Sequence, residues 1–259
     1  MIGTMTVSEL FKMVSSEPFV TIFRALLQDP SIRDLRNPEG VSPMAWAKSG
    51  GRPDIAEMFI DAGAELDFYD TVYMGSVDRL AELLPTSKHL INSLSPLKTL
   101  PLIFALQDPL KVRMLIDAGA DVNLRPTIRG AEPPLVAAAA MPAPRESIEM
   151  LLDAGADPNA PSRSGWTALY AAAAWGDRQL VMLLLAHGAR PGLRNGNGKS
   201  PAERAEEEGH LQLAEFLRAA TGSNTEEIVR DELLQHWEEP DVSRFNNIHV
   251  THASFDPID

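Results

Sequence analysis

Cysteine is absent from the 259 residues, which excludes disulfides, thiolate catalysis and cysteine-ligated zinc. Long apolar runs are missing too. Runs such as residues 135–141 and 180–186 stop at Pro142 and His187, far short of the roughly 20 residues a membrane-spanning helix needs. The N-terminus carries no basic stretch leading into an apolar one, so no secretory signal is read there. Positive charge is scarce: 23 Lys and Arg against 36 Asp and Glu leave a net −13. That balance argues against a phosphate-binding surface, and so against a nucleic-acid partner. Lysine is rarer still, six residues against seventeen arginines, a usage that hints at a GC-rich bacterial source. These absences describe a soluble, cytoplasmic chain with no membrane partner. The 44% apolar content is ample for a continuous core.

Residues able to do chemistry are equally thin. His89 and His236 are isolated, and the His249/His252 pair with Asp256 resembles a metal site only superficially. Positions i and i+3 face opposite ways on a strand, although a helix would bring them together. The run Asn195-Gly196-Asn197-Gly198-Lys199-Ser200 mimics a phosphate loop, but the full spacing fails at Pro201. No serine has an arguable base and orienting acid. The carboxylates Glu206, Glu207 and Glu208 occupy consecutive helix positions and do not converge. No enzymatic activity, cofactor or metal is expected.

What the sequence does have is a period. Leu151 and Leu152 precede Gly155-Ala156, and Leu183, Leu184 and Leu185 precede Gly188-Ala189, with 33 residues from one glycine to the next. Between them lie a Ser164-Gly165 turn, an Ala-rich helix ending near Gly176, and a second helix. Earlier Gly-Ala pairs stand at Gly63 and Gly119. A fixed spacing of this length marks a stacked array in which one unit cannot bury its apolar face alone. Glycine suits the loop because a residue past a helix end often needs a positive φ.

This pattern resembles the ankyrin-repeat family. The resemblance implies an all-α solenoid of about six helix-turn-helix units with atypical caps. Residues 1–36 read as an N-terminal helical cap, with Val7, Leu10, Phe11 and Val14 on one stripe and Phe19, Ile22, Phe23, Leu26 and Leu27 on a second. Residues 37–220 read as repeats, one of them degenerate at about 68–92 with a truncated first helix. Residues 221–259 read as an acidic helix and tail, with nine acids against two arginines. The family's Thr-Pro-Leu-His opening appears as Ser42-Pro43-Met44-Ala45, Leu100-Pro101-Leu102-Ile103, Pro133-Pro134-Leu135-Val136, Thr167-Ala168-Leu169-Tyr170 and Ser200-Pro201-Ala202-Glu203. No unit keeps the histidine, so apolar burial is expected to hold the stack. His187 and His210 sit where the family commonly carries histidine, and a structural role is implied for both.

The resemblance also implies a binding protein whose concave face, made of turn tips and first helices, holds a partner. Matching the motif unit by unit selects Arg163, Ser164, Trp166 and Trp175 in the most regular repeat. Gln107 and Asp108, Glu132 and Met141, and Lys199, Glu207 and Glu208 occupy the equivalent positions of its neighbours. Trp and Arg are common binding anchors, although Trp166 and Trp175 would serve as well for packing between units. Trp46, between Ala45 and Ala47, reads as core. The expected function is non-enzymatic: an acid-biased face that binds and neutralises a basic partner protein, in the manner of an inhibitor or immunity protein. The alternative is an adaptor or secreted effector that recruits through its C-terminal tail.

Overall fold

Pro43, Pro53, Pro101, Pro109, Pro134 and Pro201 each stand in the first turn of a helix, where proline's fixed φ is pre-organised and its missing N–H costs nothing. A computed structural model describes residues 5–125, 132–141 and 143–222, and within them fourteen α-helices form seven consecutive pairs. The cap is α1 (Val7–Ser16) and α2 (Phe19–Gln28). The first helices of the units are α3 (Pro43–Ser49), α5 (Phe68–Met74), α7 (Pro101–Ala105), α9 (Pro134–Ala140), α11 (Ala168–Trp175) and α13 (Pro201–Glu207). Their second helices are α4 (Pro53–Asp61), α6 (Val77–Leu83), α8 (Pro109–Asp117), α10 (Arg145–Asp153), α12 (Arg178–Ala186) and α14 (Leu211–Gly222). Side-chain caps from Ser42, Asp67, Ser76, Asp108, Thr167, Asp177 and Ser200 satisfy the orphan amides at the helix starts. From α1 to α13 the first helices pack in one row, each on the next. This is the ankyrin-type solenoid.

Four details depart from the sequence reading. Helix α5 is not truncated: it spans seven residues, like α3, α9 and α13. The irregularity of that unit lies after α6, where a 3₁₀ turn at Lys88–Leu90 stands in place of a Gly-Ala loop. Trp46 is exposed rather than core, because helix α3 points it toward α1, where its Nε1 donates to Ser15 Oγ at 2.9 Å. The second stripe of the cap is buried only at Ile22 and Leu26, and Phe19, Phe23 and Leu27 face outward.

The fourth departure concerns what stitches the stack. Apolar burial is not alone, because asparagines bridge successive loops. Asn92, Asn123 and Asn159 each donate Nδ2 to the carbonyl of the next unit's loop glycine, Gly119, Gly155 and Gly188, at 2.8–3.0 Å. Each Oδ1 accepts from the N–H two residues beyond that glycine, at Asp121, Asp157 and Arg190, at 2.8 Å. At the N-terminal end Asp34 and Arg33 do the same for Glu65 and Ala62.

The apolar interior falls into two clusters. The smaller runs from Leu10 to Phe59 through α1–α4, and the larger from Phe68 to Ala220. Polar contacts cross the seam between them. Buried Asp70 accepts from Ser42 Oγ at 2.7 Å and from Arg36 Nη2 at 2.9 Å, and Arg36 also reaches Asp67 at 3.2 Å. Burial and the neighbouring Asp67 push the Asp70 carboxyl above its ordinary pKa, against the opposing pull of Ser42 and Arg36.

Candidate protein-binding face

In the α11 unit, Thr167 caps the helix and Gly176 ends it in the left-handed region at φ 69°. Trp175 is therefore its last helical residue, two-thirds exposed. Its indole is nonetheless fixed, since Nε1 donates to the Ala140 carbonyl at 3.2 Å. Met141 caps the end of α9 beside it and is exposed too. Together with Ala139, Ala143, Ile148 and Leu180 these two side chains line a groove of about 400 Å³. An ion pair between Arg145 and Asp177 at 3.1 Å closes one side. The arrangement offers an apolar recess with a pre-set aromatic wall, which is suited to an apolar side chain of another protein.

Trp166 lies in the tip of the same unit but is half-buried. Its ring centre is 5.1 Å from that of Tyr170, and its backbone N–H donates to Ser162 Oγ. Arg163 and Ser164 are exposed at the tip, and the Ser164 carbonyl accepts from the Gly196 N–H of the next tip at 2.8 Å. Gly165 permits that approach, for a Cβ there would sit 2.5 Å from the Gly196 nitrogen. The structure thus places Trp175 and Met141 together and sets Trp166 apart.

At the α13 end the acidic bias is met by the chain's own cations. Glu207 pairs with Lys199, Glu208 with Arg204 at 2.5 Å, Glu203 with Arg194 at 2.8 Å, and Glu206 with Arg218. The hydrogen bond from Lys199 holds the Glu207 carboxyl below its usual pKa and raises the Lys199 amine. Gln107 is exposed. Asp108 spends its carboxylate on the α8 amides of Leu110 and Lys111. Glu132 is half-buried. This face is less acidic in effect than its composition.

Sequence reasoning missed a second aromatic group. Tyr73 and Phe104 stack at 4.4 Å on adjacent first helices, and the Lys48 amine lies over the Tyr73 ring at 4.4 Å. Lys48 donates to the Tyr73 carbonyl and buried Lys111 to the Val72 carbonyl, so two lysines cap the end of α5. Burial lowers both amine pKa values. The signal was present in the sequence as aromatics near the same register of two first helices.

No group of three metal-ligating side chains occurs among the described residues, and His236, His249, His252 and the whole acidic tail lie outside them. No described helix is long and apolar enough to cross a membrane.

Comparison with known proteins agrees with this architecture. Residues 135–229 match a family model described as ankyrin repeats (3 copies). Mouse ankyrin repeat and SOCS box protein 16 is 37% identical over 134 residues, 48% of this chain and 29% of that protein. Cyclin-dependent kinase 4 inhibitor B is 37% identical over 112 residues in rat, 43% of this chain and 83% of that protein. The human form is 37% identical over 115 residues, 43% and 79% respectively. The chain thus corresponds to under a third of the first relative's length and about four-fifths of the inhibitors'. These relatives are mammalian, and the bacterial source read from arginine usage gains nothing from them. A repeat array of this class is a protein-interaction module, and the chain belongs to the ankyrin-repeat family.

Proposed function

We propose that the chain binds and inhibits a partner protein, which seats on the first-helix row with Trp175 and Met141 at the centre of contact. The observation that carries this reading is the indole of Trp175, exposed to solvent yet held by the Ala140 carbonyl beside an apolar groove. A large side chain fixed before binding loses little entropy on association, which is what makes an anchor. The relatives named as kinase inhibitors support an inhibitory role. Arg163, Ser164, Trp166, Gln107, Asp108, Glu132, Lys199, Glu207 and Glu208 form the surround of this contact.

The net charge of −13 supports a basic partner, drawn in by long-range attraction that raises the association rate more than the affinity. A neutralising, immunity-type role against a basic enzyme or toxin is the specific form of this reading. The test is capture from native lysate with the wild type, a Trp175→Ala/Met141→Ala variant and a Glu149→Ala control on α10. Loss of one basic protein from the double variant alone supports the reading, and equal capture by all three overturns it.

A second reading, an adaptor that recruits through residues 221–259, is favoured by the charge distribution. That segment holds −7 of the −13, while the carboxylates of the α13 end are already paired. Deleting residues 223–259 separates the two. Unchanged partner binding removes the adaptor, and loss of binding with Trp175 intact favours it.

A further inference from the structure

The two ends of the solenoid differ in chemistry. At the C-terminal end α14 turns Gln212, Glu215 and Arg218 to solvent with the single large apolar side chain Leu211, a largely polar outer face of the kind a terminal repeat needs. At the N-terminal end α2 turns out Phe19, Val20, Phe23 and Leu27, each 45–68% exposed. These are four of the nine large apolar side chains exposed among the described residues. They are also contiguous: the Phe19 and Phe23 rings stack at 6.2 Å, and Val20, Phe23 and Leu27 stand at i, i+3 and i+7. That spacing is the seam by which one helix packs along another.

We infer that this face is a self-association surface, and that its occupant is α2 of a second copy in a two-fold, antiparallel pair. Three observations select a second copy. First, the seam is self-complementary. A two-fold axis at Phe23 sets Phe23 against its counterpart and Phe19 against Leu27, so large meets large along the whole helix. Second, charge permits association here and opposes it elsewhere. Arg24 is the one charged residue of α2, and residues 1–35 carry three bases and four acids. The C-terminal end by contrast leads into a segment of −7, and two chains of −13 repel least when joined by their near-neutral ends. Third, area sets the strength. Taking roughly 150–250 Å² for an aromatic side chain, the exposed fractions leave on the order of 400 Å² per copy. A pair therefore buries on the order of 800 Å², short of the ~1,200 Å² of stable specific complexes. The dimer is weak, with a dissociation constant in the micromolar range.

Sedimentation equilibrium of the full chain over about 1–300 µM tests this, with Phe23→Glu/Leu27→Glu as the comparison. Both substituted side chains are exposed, so the variant is expected to keep the wild-type helical circular dichroism and melting temperature. The wild-type mass should rise from 28.3 kDa and level at twice that value, while the variant stays at 28.3 kDa throughout. A wild type that remains monomeric at the highest concentration overturns the proposal, as it would if residues 223–259 of the same chain cover the face. A mass that climbs past the dimer without levelling overturns the two-fold arrangement. An equal rise in wild type and variant places the contact on another face and overturns it too. Should the variant unfold, Val20→Ser/Leu27→Ser serves in its place, and the same outcomes decide. Partner binding through Trp175 stands or falls separately, since these substitutions touch no residue that lines the Trp175 groove.

Discussion

Replacing Asn123 by alanine tests whether the asparagine ladder, and not apolar burial alone, couples neighbouring units. The side chain makes two bonds across a repeat boundary, Nδ2 to the Gly155 carbonyl at 2.8 Å and Oδ1 from the Asp157 N–H at 2.8 Å. A neutral intramolecular hydrogen bond nets about 0.5–1.5 kcal/mol, so the pair is worth about 1–3 kcal/mol. The loop is exposed and water replaces part of what is lost, which places the expected cost near the lower end, about 1–1.5 kcal/mol. No buried apolar surface is removed, so a core mechanism contributes nothing. For a domain of this size the melting temperature should fall by roughly 2–6 °C.

The matched comparison is Asn159→Ala, one step further along the ladder. The two sites share Asp157, whose N–H donates to Asn123 and whose carboxylate accepts from the Asn159 N–H at 2.9 Å. Their effects should therefore fail to add in the double variant by more than about 0.5 kcal/mol. Urea titration followed by far-ultraviolet circular dichroism reads both numbers. An Asn123→Ala midpoint equal to wild type, or strict additivity of the pair, refutes the ladder as a source of coupling.

Other consequences are equally direct. Gly165→Ala should cost more than Gly188→Ala in the same titration. Both glycines have positive φ, at 78° and 85°, but only at Gly165 does a Cβ meet backbone, 2.5 Å from Gly196 N; equal losses would refute the close approach. Asp70 has a raised carboxyl pKa, so the folded state binds a proton ahead of the unfolded state and this group's contribution to stability falls as pH rises through that window. The wild type should accordingly gain on Asp70→Asn between pH 7 and pH 4 in urea midpoint, and a gain in the opposite direction would mean that Arg36 dominates the site. With the apolar core divided at the α4–α5 seam, hydrogen exchange of α1–α4 should report a lower opening free energy than α9–α12, whereas uniform protection would show a single cooperative unit.

The architecture was legible because the residues that build it act locally. The Gly-Ala pairs, the first-turn prolines and the Ser, Thr and Asp caps each fix one turn of chain with no help from distant contacts. The ladder was legible too but went unread: Asn123 and Asn159 stand four residues after Gly119 and Gly155. The binding face was less legible, because its properties depend on what meets across units. Trp46 and Trp175 look alike in the sequence, each beside alanines, yet only contact with the preceding first helix determines where each indole goes. Glu207 and Glu208 count as two negative charges in composition, and only the fold brings Lys199 and Arg204 to them. The outward face of α2 was misread for a related reason. A stripe at helical spacing shows that one side of a helix is apolar, but not that a neighbour exists to cover it.

On the two readings above, one array would meet two partners at once. The groove at Trp175 belongs to α9–α12, deep in the larger cluster, where five units share one continuous core and the side chains of the face are held by contacts on both sides. The apolar face of α2 belongs to the smaller cluster, beyond the polar seam of Arg36, Asp67, Asp70 and Ser42. The α2 face and the Trp175 groove share no residue, so the proposed self-association uses none of the groove's side chains. A two-fold pair joined at α2 would carry two grooves, and a partner bearing two sites would be held more tightly by the pair than by one copy wherever its own span matches theirs. On these two readings doubling would strengthen binding to a two-site partner without altering a contact in the groove, while the carboxylates of the α13 end stay paired with the chain's own cations.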